Sequence, residues 1–269
     1  MNIAIFGGTF DPVHHGHLAV ARAAAERFQL GRVYFVPADI PPHKQTQAIT
    51  PYYHRYAMLA LALAGEKNFV PSLLESPEII QAEGKLASYS IDTVRRFKQR
   101  VRKVDRLFFI IGIDAFMDVA KWRSPVELLQ ECEFIVASRP GYSLNDVASA
   151  LPETLRPAEQ VSRLFKQQPA GGDIVLAGTT IHLLDEVKEA VGATKIRSAV
   201  ATGRPIANFV GPEVAEYIRK LQLYKPGKPE PGNPEPNRLE TLTVRTNGGQ
   251  AEHRKQLHVV GGRSHRKNP

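Results

Sequence analysis

Cysteine is nearly missing from this sequence, because its 269 residues include a single one, Cys132. One thiol excludes the disulfide framework of small secreted proteins and suits a reducing compartment. The apolar neighbours Phe134, Ile135 and Val136 predict a buried structural thiol and not a nucleophile. No apolar run is long enough to cross a membrane, and the chain starts directly with a predicted strand, so neither a membrane span nor a signal peptide is expected. Together these absences predict a cytoplasmic protein.

Most of the chain also carries little net charge, although the formal net charge of the whole sequence is +8. From Lys225 onward, nine Lys and Arg residues stand against four Asp and Glu residues, so this tail holds five of those charges. Residues 226–236 form a Pro-, Gly- and Glu-rich linker that cannot bury a core, and residues 237–269 are polar and basic. We therefore predict a folded domain at 1–225 and a disordered tail at 226–269. The charge gives no support for nucleic-acid binding by the domain, whereas the tail could attract polyanions.

Within residues 1–225, apolar strands alternate with helices at least five times. Strands are predicted at 2–6, 32–37, 69–74, 106–112, 133–137, 173–177 and 180–184. Helices are predicted at 18–28, 51–64, 91–99, 125–130, 157–167, 194–202 and 212–223. The strands lack polar alternation, which is typical of strands buried on both faces. The pattern therefore predicts an α/β fold, a doubly wound Rossmann-like parallel sheet with helices on both faces.

The first seventeen residues carry the clearest functional pattern. A buried strand ends at Gly7 and Gly8, whose bare backbone lets a ligand approach closely. A helix follows, and His14 and His17 lie at its start, three residues apart and on one face. Unpaired N–H groups and the helix dipole favour an anion there, so two imidazoles at this point suit the phosphates of a nucleotide. The alternative is that both histidines only cap the helix or face solvent.

A second helix start repeats this arrangement at residues 192–197, Gly-Ala-Thr-Lys-Ile-Arg. Small residues lead into the helix and place Arg197 one turn in, where an anion would meet both the dipole and a guanidinium. On these residues alone, a capped helix with a solvated arginine explains the pattern as well. The loop after the second strand, residues 38–44, adds His43 and Lys44 at a sheet edge where ligands bind in open parallel sheets. The alternative there is an exposed polar loop.

Three further side chains are candidates for ligand contacts. Asp114 follows the central strand and could accept from a ribose hydroxyl. Ser90 opens a helix, where it could touch a substrate or serve only as a cap. Trp122, the only tryptophan, stands between Lys121 and Arg123 and is either a core residue or a flat surface for a pyridine ring.

The opening motif matches neither of two widespread phosphate loops. Residues 7–10, Gly-Gly-Thr-Phe, lack the spacing of the dinucleotide-binding glycine fingerprint, and no Gly-Lys-Ser/Thr follows to make a P-loop. Residues 7–17, Gly-Gly-Thr-Phe-Asp-Pro-Val-His-His-Gly-His, instead resemble the His-x-Gly-His signature of a nucleotidyltransferase superfamily. On its own, this motif would also fit pantetheine phosphate adenylyltransferases and other cytidylyl- and adenylyltransferases.

Later motifs narrow the resemblance to the bacterial nicotinate mononucleotide adenylyltransferase family over about residues 1–225. They are the segments 41–44, 88–90, 110–114, 139–142 and 193–197, together with Trp122 and the closing segments 217–218 and 223–224. The chain departs from the family's usual pattern at Gly192, where serine is usual, and in the loop before the two prolines, where Ala38 or Asp39 replaces a common asparagine. The tail has no counterpart in the family.

The resemblance implies an enzyme of NAD biosynthesis that joins ATP and nicotinate mononucleotide into deamido-NAD and pyrophosphate. It implies catalytic roles for His14, His17 and Arg197. The implied ATP-binding residues are Gly7, Gly8, Thr9, Phe10, His14, His17, Gly112, Asp114, Thr194, Ile196 and Arg197. The implied mononucleotide-binding residues are Asp39, His43, Lys44, Ser90, Trp122 and Arg139.

Magnesium is expected with ATP, and the sequence names no protein ligand for it. It also leaves the oligomeric state open. Two alternatives remain at this point. One is a related adenylyltransferase that acts on nicotinamide mononucleotide or pantetheine phosphate. The other is a non-catalytic nucleotide- or RNA-binding protein that uses the basic tail.

Overall fold

A computed structural model describes residues 1–41, 49–85, 87–138, 141–157, 172–185, 187 and 192–226. These residues belong to the first of two units into which the chain divides, Met1–Asn233, and the second unit, Pro234–Pro269, lies outside them. The boundary at residue 225 stays a prediction. None of the helices in the described ranges has the length and apolar character that a membrane span requires.

The described strands form one seven-stranded sheet in the order β3-β2-β1-β4-β5-β7-β6. Their bounds are β1 Asn2–Gly8, β2 Arg32–Pro37, β3 Phe69–Pro71, β4 Arg106–Gly112, β5 Glu133–Ala137, β6 Gly172–Leu176 and β7 Thr179–Leu184. Neighbouring strands are parallel except for β6, which runs antiparallel to β7 at the sheet edge. The strand order reverses between β1 and β4, and ligands bind at such a switch point in open α/β sheets. The doubly wound α/β fold is confirmed, with one antiparallel edge strand as a departure from an all-parallel sheet.

Helices connect these strands. Their bounds are α1 His15–Arg27, α2 Tyr52–Leu63, α3 Pro77–Ala82, α4 Ser90–Lys98, α5 Ile113–Phe116, α6 Pro125–Glu131, α7 Leu144–Ala150, α8 Ala193–Ala201 and α9 Pro212–Leu221. Helices α3, α5 and α7 were not expected from the sequence. Residues 158–167 of the helix predicted at 157–167 lie outside the described residues.

Apolar clusters cover both faces of the sheet. On β4, Phe109 and Ile111 point into one cluster, while Phe108 and Ile110 point into the other. All four side chains are buried, which explains why β4 shows no polar alternation. Cys132 is buried beside the first cluster, as the sequence predicted, and burial raises the pKa of its thiol.

Candidate active site

The glycine pair at the end of β1 is explained first by packing against aromatic rings. The strand continues through Gly8 and does not stop at Phe6 as expected. A Cβ atom at Gly7 would lie 3.1 Å from the Phe109 ring, and one at Gly8 would lie 3.0 Å from the Phe10 ring. Phe10 itself is 2% exposed and has a φ of 51°. A nucleotide at this loop would therefore contact the Phe10 backbone and not its ring.

The two histidines of the opening motif form a stacked pair at the start of α1. Their ring centroids are 3.7 Å apart, and the backbone N–H of His14 donates to Nδ1 of His17 at 3.3 Å. In a neutral His17 ring this assigns the hydrogen to Nε2, which is then a donor. Two charged rings at this distance would repel by about 4 kcal/mol at an effective dielectric constant of about 20. The pair therefore suits hydrogen-bond donation with at most one positive ring.

The structure brings the second helix start against the first. Nη1 of Arg197, in the second turn of α8, donates to the backbone carbonyl of Asp11 at 2.7 Å. Nη2 of the same side chain lies 3.3 Å from Oγ1 of Thr194, so the guanidinium is held from two sides. The backbone of His15 is joined to Phe209 at 2.9 Å, which anchors the start of α1 near the segment that follows α8. The helix starts at His14 and Gly192 thus lie on the same side of the sheet, at the carboxyl ends of β1 and β7.

Asp11 is a connecting residue that the sequence analysis did not single out. The residue is 5% exposed, and its carboxylate accepts from the Tyr224 hydroxyl at 2.7 Å and from the Thr50 backbone at 3.3 Å. Burial, followed by the charge of Asp11, raises the pKa of Tyr224 well above its ordinary value, so the phenol stays a donor at neutral pH. Asp11 therefore joins the opening motif to α2, α8 and the end of the domain.

Arg55 is the second residue whose importance the sequence did not reveal. It is 1% exposed, and its guanidinium donates to the backbone carbonyls of Thr50, Thr9, Ala38 and Asp39 at 2.7, 2.8, 2.7 and 3.1 Å. Burial lowers the pKa of Arg55, while the nearby carboxylates of Asp11 and Asp39 oppose that shift. One signal was available, because Arg55 lies three and four residues before Met58 and Leu59 on the buried stripe of α2.

Of the candidate mononucleotide residues that the structure describes, Asp39 follows β2, Ser90 opens α4 and Trp122 lies between α5 and α6. The Asp39 backbone donates to Oγ of Ser88 at 3.2 Å, and Ser90 opens α4. Burial raises the pKa of Asp39, and Arg55 partly offsets this. Trp122 is half-buried and packs on the core. The guanidinium of the neighbouring Arg123 lies 4.8 Å from the centre of the Tyr89 ring, and Tyr89 directly precedes Ser90. His43, Lys44 and Arg139 lie outside the described residues.

Gly112 is the last residue of β4, which lies next to β1 in the sheet, and Asp114 follows two residues later. Gly112 caps the short helix α5, and Asp114 is exposed in its first turn and not in a loop. Ile196 is completely buried, so the structure exposes no part of this predicted ATP-binding residue. Among the described residues, no group of three or more His, Cys, Asp or Glu side chains could hold a metal ion.

Comparison with known proteins identifies the family of this chain. The family model described as cytidylyltransferase-like matches residues 5–199. A probable nicotinate-nucleotide adenylyltransferase from Pelobacter propionicus is 37% identical over 225 residues, which cover 83% of this chain and 98% of the relative. One from Moorella thermoacetica is 38% identical over 224 residues, covering 83% and 92%.

Solved structures show the same fold. Plasmodium falciparum nicotinic acid mononucleotide adenylyltransferase complexed with NaAD has a TM-score of 0.58 and 17% identity, with 83% of this chain and 97% of that chain covered. A putative nicotinate-nucleotide adenylyltransferase from Vibrio parahaemolyticus has a TM-score of 0.52 and 19% identity, with 84% and 96% covered. From the family match and the curated relatives together, the chain belongs to the cytidylyltransferase-like family and, within it, to the nicotinate-nucleotide adenylyltransferases.

Proposed function

We propose that this protein transfers AMP from ATP to nicotinate mononucleotide, giving deamido-NAD and pyrophosphate in NAD biosynthesis. The curated relatives carry the name of this activity. The observation that supports it best is the hydrogen bond between Arg197 and the Asp11 carbonyl, because it joins the second turn of α8 to the loop that leads into α1. Helix starts favour anions, so we propose that both bind the same triphosphate.

The chemistry requires placement and charge stabilisation more than proton transfer. A phosphate oxygen of the mononucleotide forms a bond to the α-phosphorus of ATP, and the bond from that phosphorus to the pyrophosphate oxygen breaks. The attacking phosphate is already ionised at neutral pH, so no general base is needed. Catalysis then depends on alignment and on donors directed at the negative charge of the transition state.

On the ATP side, Nε2 of His17 and the ring of His14 donate to the phosphates at the start of α1. Arg197 and the backbone around Thr194 hold the β- and γ-phosphates at the start of α8. The backbone of residues 7–10 lies against the nucleotide, and Gly112 and Asp114 approach its ribose. Mg²⁺ takes oxygen ligands, and the described donors at the two helix starts are N–H groups. The ion would therefore be held chiefly by phosphate oxygens and water.

On the mononucleotide side, Trp122 stacks on the pyridine ring while Ser90 and nearby backbone contact its carboxylate. Asp39 contributes from the loop after β2. We assign His43, Lys44 and Arg139 to the same substrate by position in the motifs. We place the enzyme in the cytoplasm, where a single buried thiol stays reduced.

Pyrophosphate release from ATP with each acceptor tests this proposal directly. We expect the highest kcat/KM with nicotinate mononucleotide, a lower value with nicotinamide mononucleotide and background release with pantetheine phosphate. A preference for pantetheine phosphate would move the protein to a different adenylyltransferase. If no pyrophosphate were released with any of the three acceptors, the proposed enzymatic activity would be refuted.

The out-of-class alternative, a nucleic-acid binder that uses residues 226–269, is tested by truncation. A chain that ends at residue 226 keeps every described residue, so the enzyme should retain its turnover. A binder that depends on the tail would instead lose its affinity for polyanions and the salt dependence of that affinity.

A further inference from the structure

The Arg55 side chain donates hydrogen bonds to the backbone of loops. It is buried on α2, and its guanidinium bonds recorded among the described residues go to four backbone carbonyls. Thr9 lies on the loop between β1 and the two histidines. Ala38 and Asp39 follow β2, and Thr50 lies two residues before the first residue of α2. One planar cation thus joins three separate chain segments at the edge where the candidate site lies.

Other bonds tie the same segments together around Arg55. The backbone of Ala38 donates to the carbonyl of Gly8 at 2.9 Å, and the backbone of Thr50 donates to the Asp11 carboxylate. The distance between the β1 loop and the β2 loop is therefore fixed by a small hydrogen-bonded network with Arg55 at its centre. These two loops carry the proposed contacts of different substrates, Thr9 for ATP and Asp39 for the mononucleotide.

Net stability is a poor explanation for a cation at this position. Burying a charge costs several kcal/mol, roughly, and well-packed apolar residues often replace a whole buried ion pair without loss. The partners of Arg55 are backbone carbonyls, so their need for a donor follows from the placement of the loops and not from a partner side chain. The stripe formed by Met58, Leu59 and Leu63 could accept an apolar residue one turn earlier. What an apolar side chain cannot supply is a rigid fork of five N–H donors that reaches several carbonyls at once. The geometry favours a role in placement.

We propose that Arg55 is a positioning residue that sets the spacing between the ATP loop, residues 9–14, and the mononucleotide loop, residues 38–41. It acts on the reaction through these backbones and does not touch either substrate. The inference rests on the proposed function for the assignment of a substrate to each loop. Its consequence is specific, because wrong spacing should impair alignment of the two substrates more than the binding of either one alone.

Arg55→Lys is the decisive variant, since it keeps the charge and the aliphatic stem but loses the planar fork. A misplacement of about 1 Å can cost about 10²-fold in rate, so we expect kcat to fall roughly 10- to 100-fold. The Kd of a non-hydrolysable ATP analogue alone, and of nicotinate mononucleotide alone, should change by less than about 3-fold, because each loop keeps its own donors. Arg55→Met removes the donors as well and should lower kcat further if it folds.

Arg96→Lys is a matched control. Arg96 lies on α4, its side chain is 10% exposed, and it donates to the carbonyl of Leu74 at 2.9 Å and to Glu83. The Arg96→Lys variant should be less thermally stable than the wild type and should keep the wild-type kcat. Unchanged kcat in Arg55→Lys, or a fall in kcat matched by equal weakening of both Kd values, would overturn the positioning role. Absence of turnover in the wild-type protein would instead defeat the proposed function, so the two failures are distinguishable.

Discussion

The hydroxyl of Tyr224 offers a sharp test of how the end of the domain supports the site. It donates to Oδ1 of Asp11 at 2.7 Å, across 213 residues of sequence. Tyr224→Phe keeps the ring and removes only this donor. Because Asp11 is 5% exposed, little water can replace the lost hydrogen bond. In the variant, Oδ1 of the buried Asp11 carboxylate therefore loses the tyrosine hydroxyl as a donor.

The structure sets the size of the effect. A hydrogen bond to a charged group contributes about 1.5–3 kcal/mol to the free energy of unfolding. In a domain of this size, each kcal/mol lowers Tm by about 2–4 °C, so a fall of roughly 3–12 °C is expected. Tyr217→Phe is the matched control, since the Tyr217 hydroxyl lies 2.9 Å from Nδ1 of His54 on a half-buried surface. It should cost only about 0.5–1.5 kcal/mol.

Thermal and urea unfolding at neutral pH measure both variants. A free energy of unfolding for Tyr224→Phe within about 0.5 kcal/mol of the wild type, or a loss no larger than that of Tyr217→Phe, would refute this role of the Tyr224 hydroxyl. A second measurement uses alkaline pH. The pKa of Tyr224 is raised in the folded protein, so above about pH 10 the unfolded chain ionises first. Wild-type stability then falls as pH rises, and its advantage over Tyr224→Phe should shrink.

Three further predictions address the site and its surroundings. His17→Ala should lower kcat by about 10²-fold or more while His54→Ala changes it little, and a near wild-type kcat in His17→Ala would remove the mechanism. Trp122→Ala should raise KM for the mononucleotide more than KM for ATP, and equal effects in steady-state kinetics would exclude stacking. Burial raises the pKa of Glu75 against an opposing hydrogen bond from Thr93, so the folded state holds this proton to higher pH than the unfolded state does. The free energy of unfolding of the wild type should therefore fall relative to Glu75→Gln as pH rises above about 4.5, and a constant difference between the two in urea titrations from pH 4 to 8 would contradict this.

Elements with a strong apolar run were predictable to the residue. The strands at 32–37, 106–112 and 133–137 were expected with the bounds that β2, β4 and β5 have, because each run is flanked by polar or turn residues. Helices α3 and α5 are too short for a helical period to emerge. The start of α7 did have a signal, since Ser143 and Asp146 make a capping box with a bond of 2.7 Å. The reversed direction of β6 also had a local signal, because only Ala177 and Gly178 separate it from β7 and a two-residue connection with glycine is typical of an antiparallel hairpin.

Candidate site residues could be named from the sequence where a motif brings them together in adjacent positions. His14 and His17 stand out because they share a helix start, and Arg197 stands out for the same reason. Asp11 and Arg55 escaped because their hydrogen-bond partners are backbone groups or side chains far away in sequence. Every residue type has a backbone carbonyl, so the partner of a side chain that binds one cannot be recognised from its residue type.

The contact between Arg197 and Asp11 spans 186 residues, so the proposed catalytic site joins the beginning of the domain to nearly its end. Closing so long a loop costs conformational entropy that local strand pairing does not, because β1 and β2 are close along the chain. A nascent or truncated chain can consequently hold most of its strand pairs and still have no place for a triphosphate. Chains that stop before Arg197 should be inactive for lack of this closure, even where their secondary structure is intact.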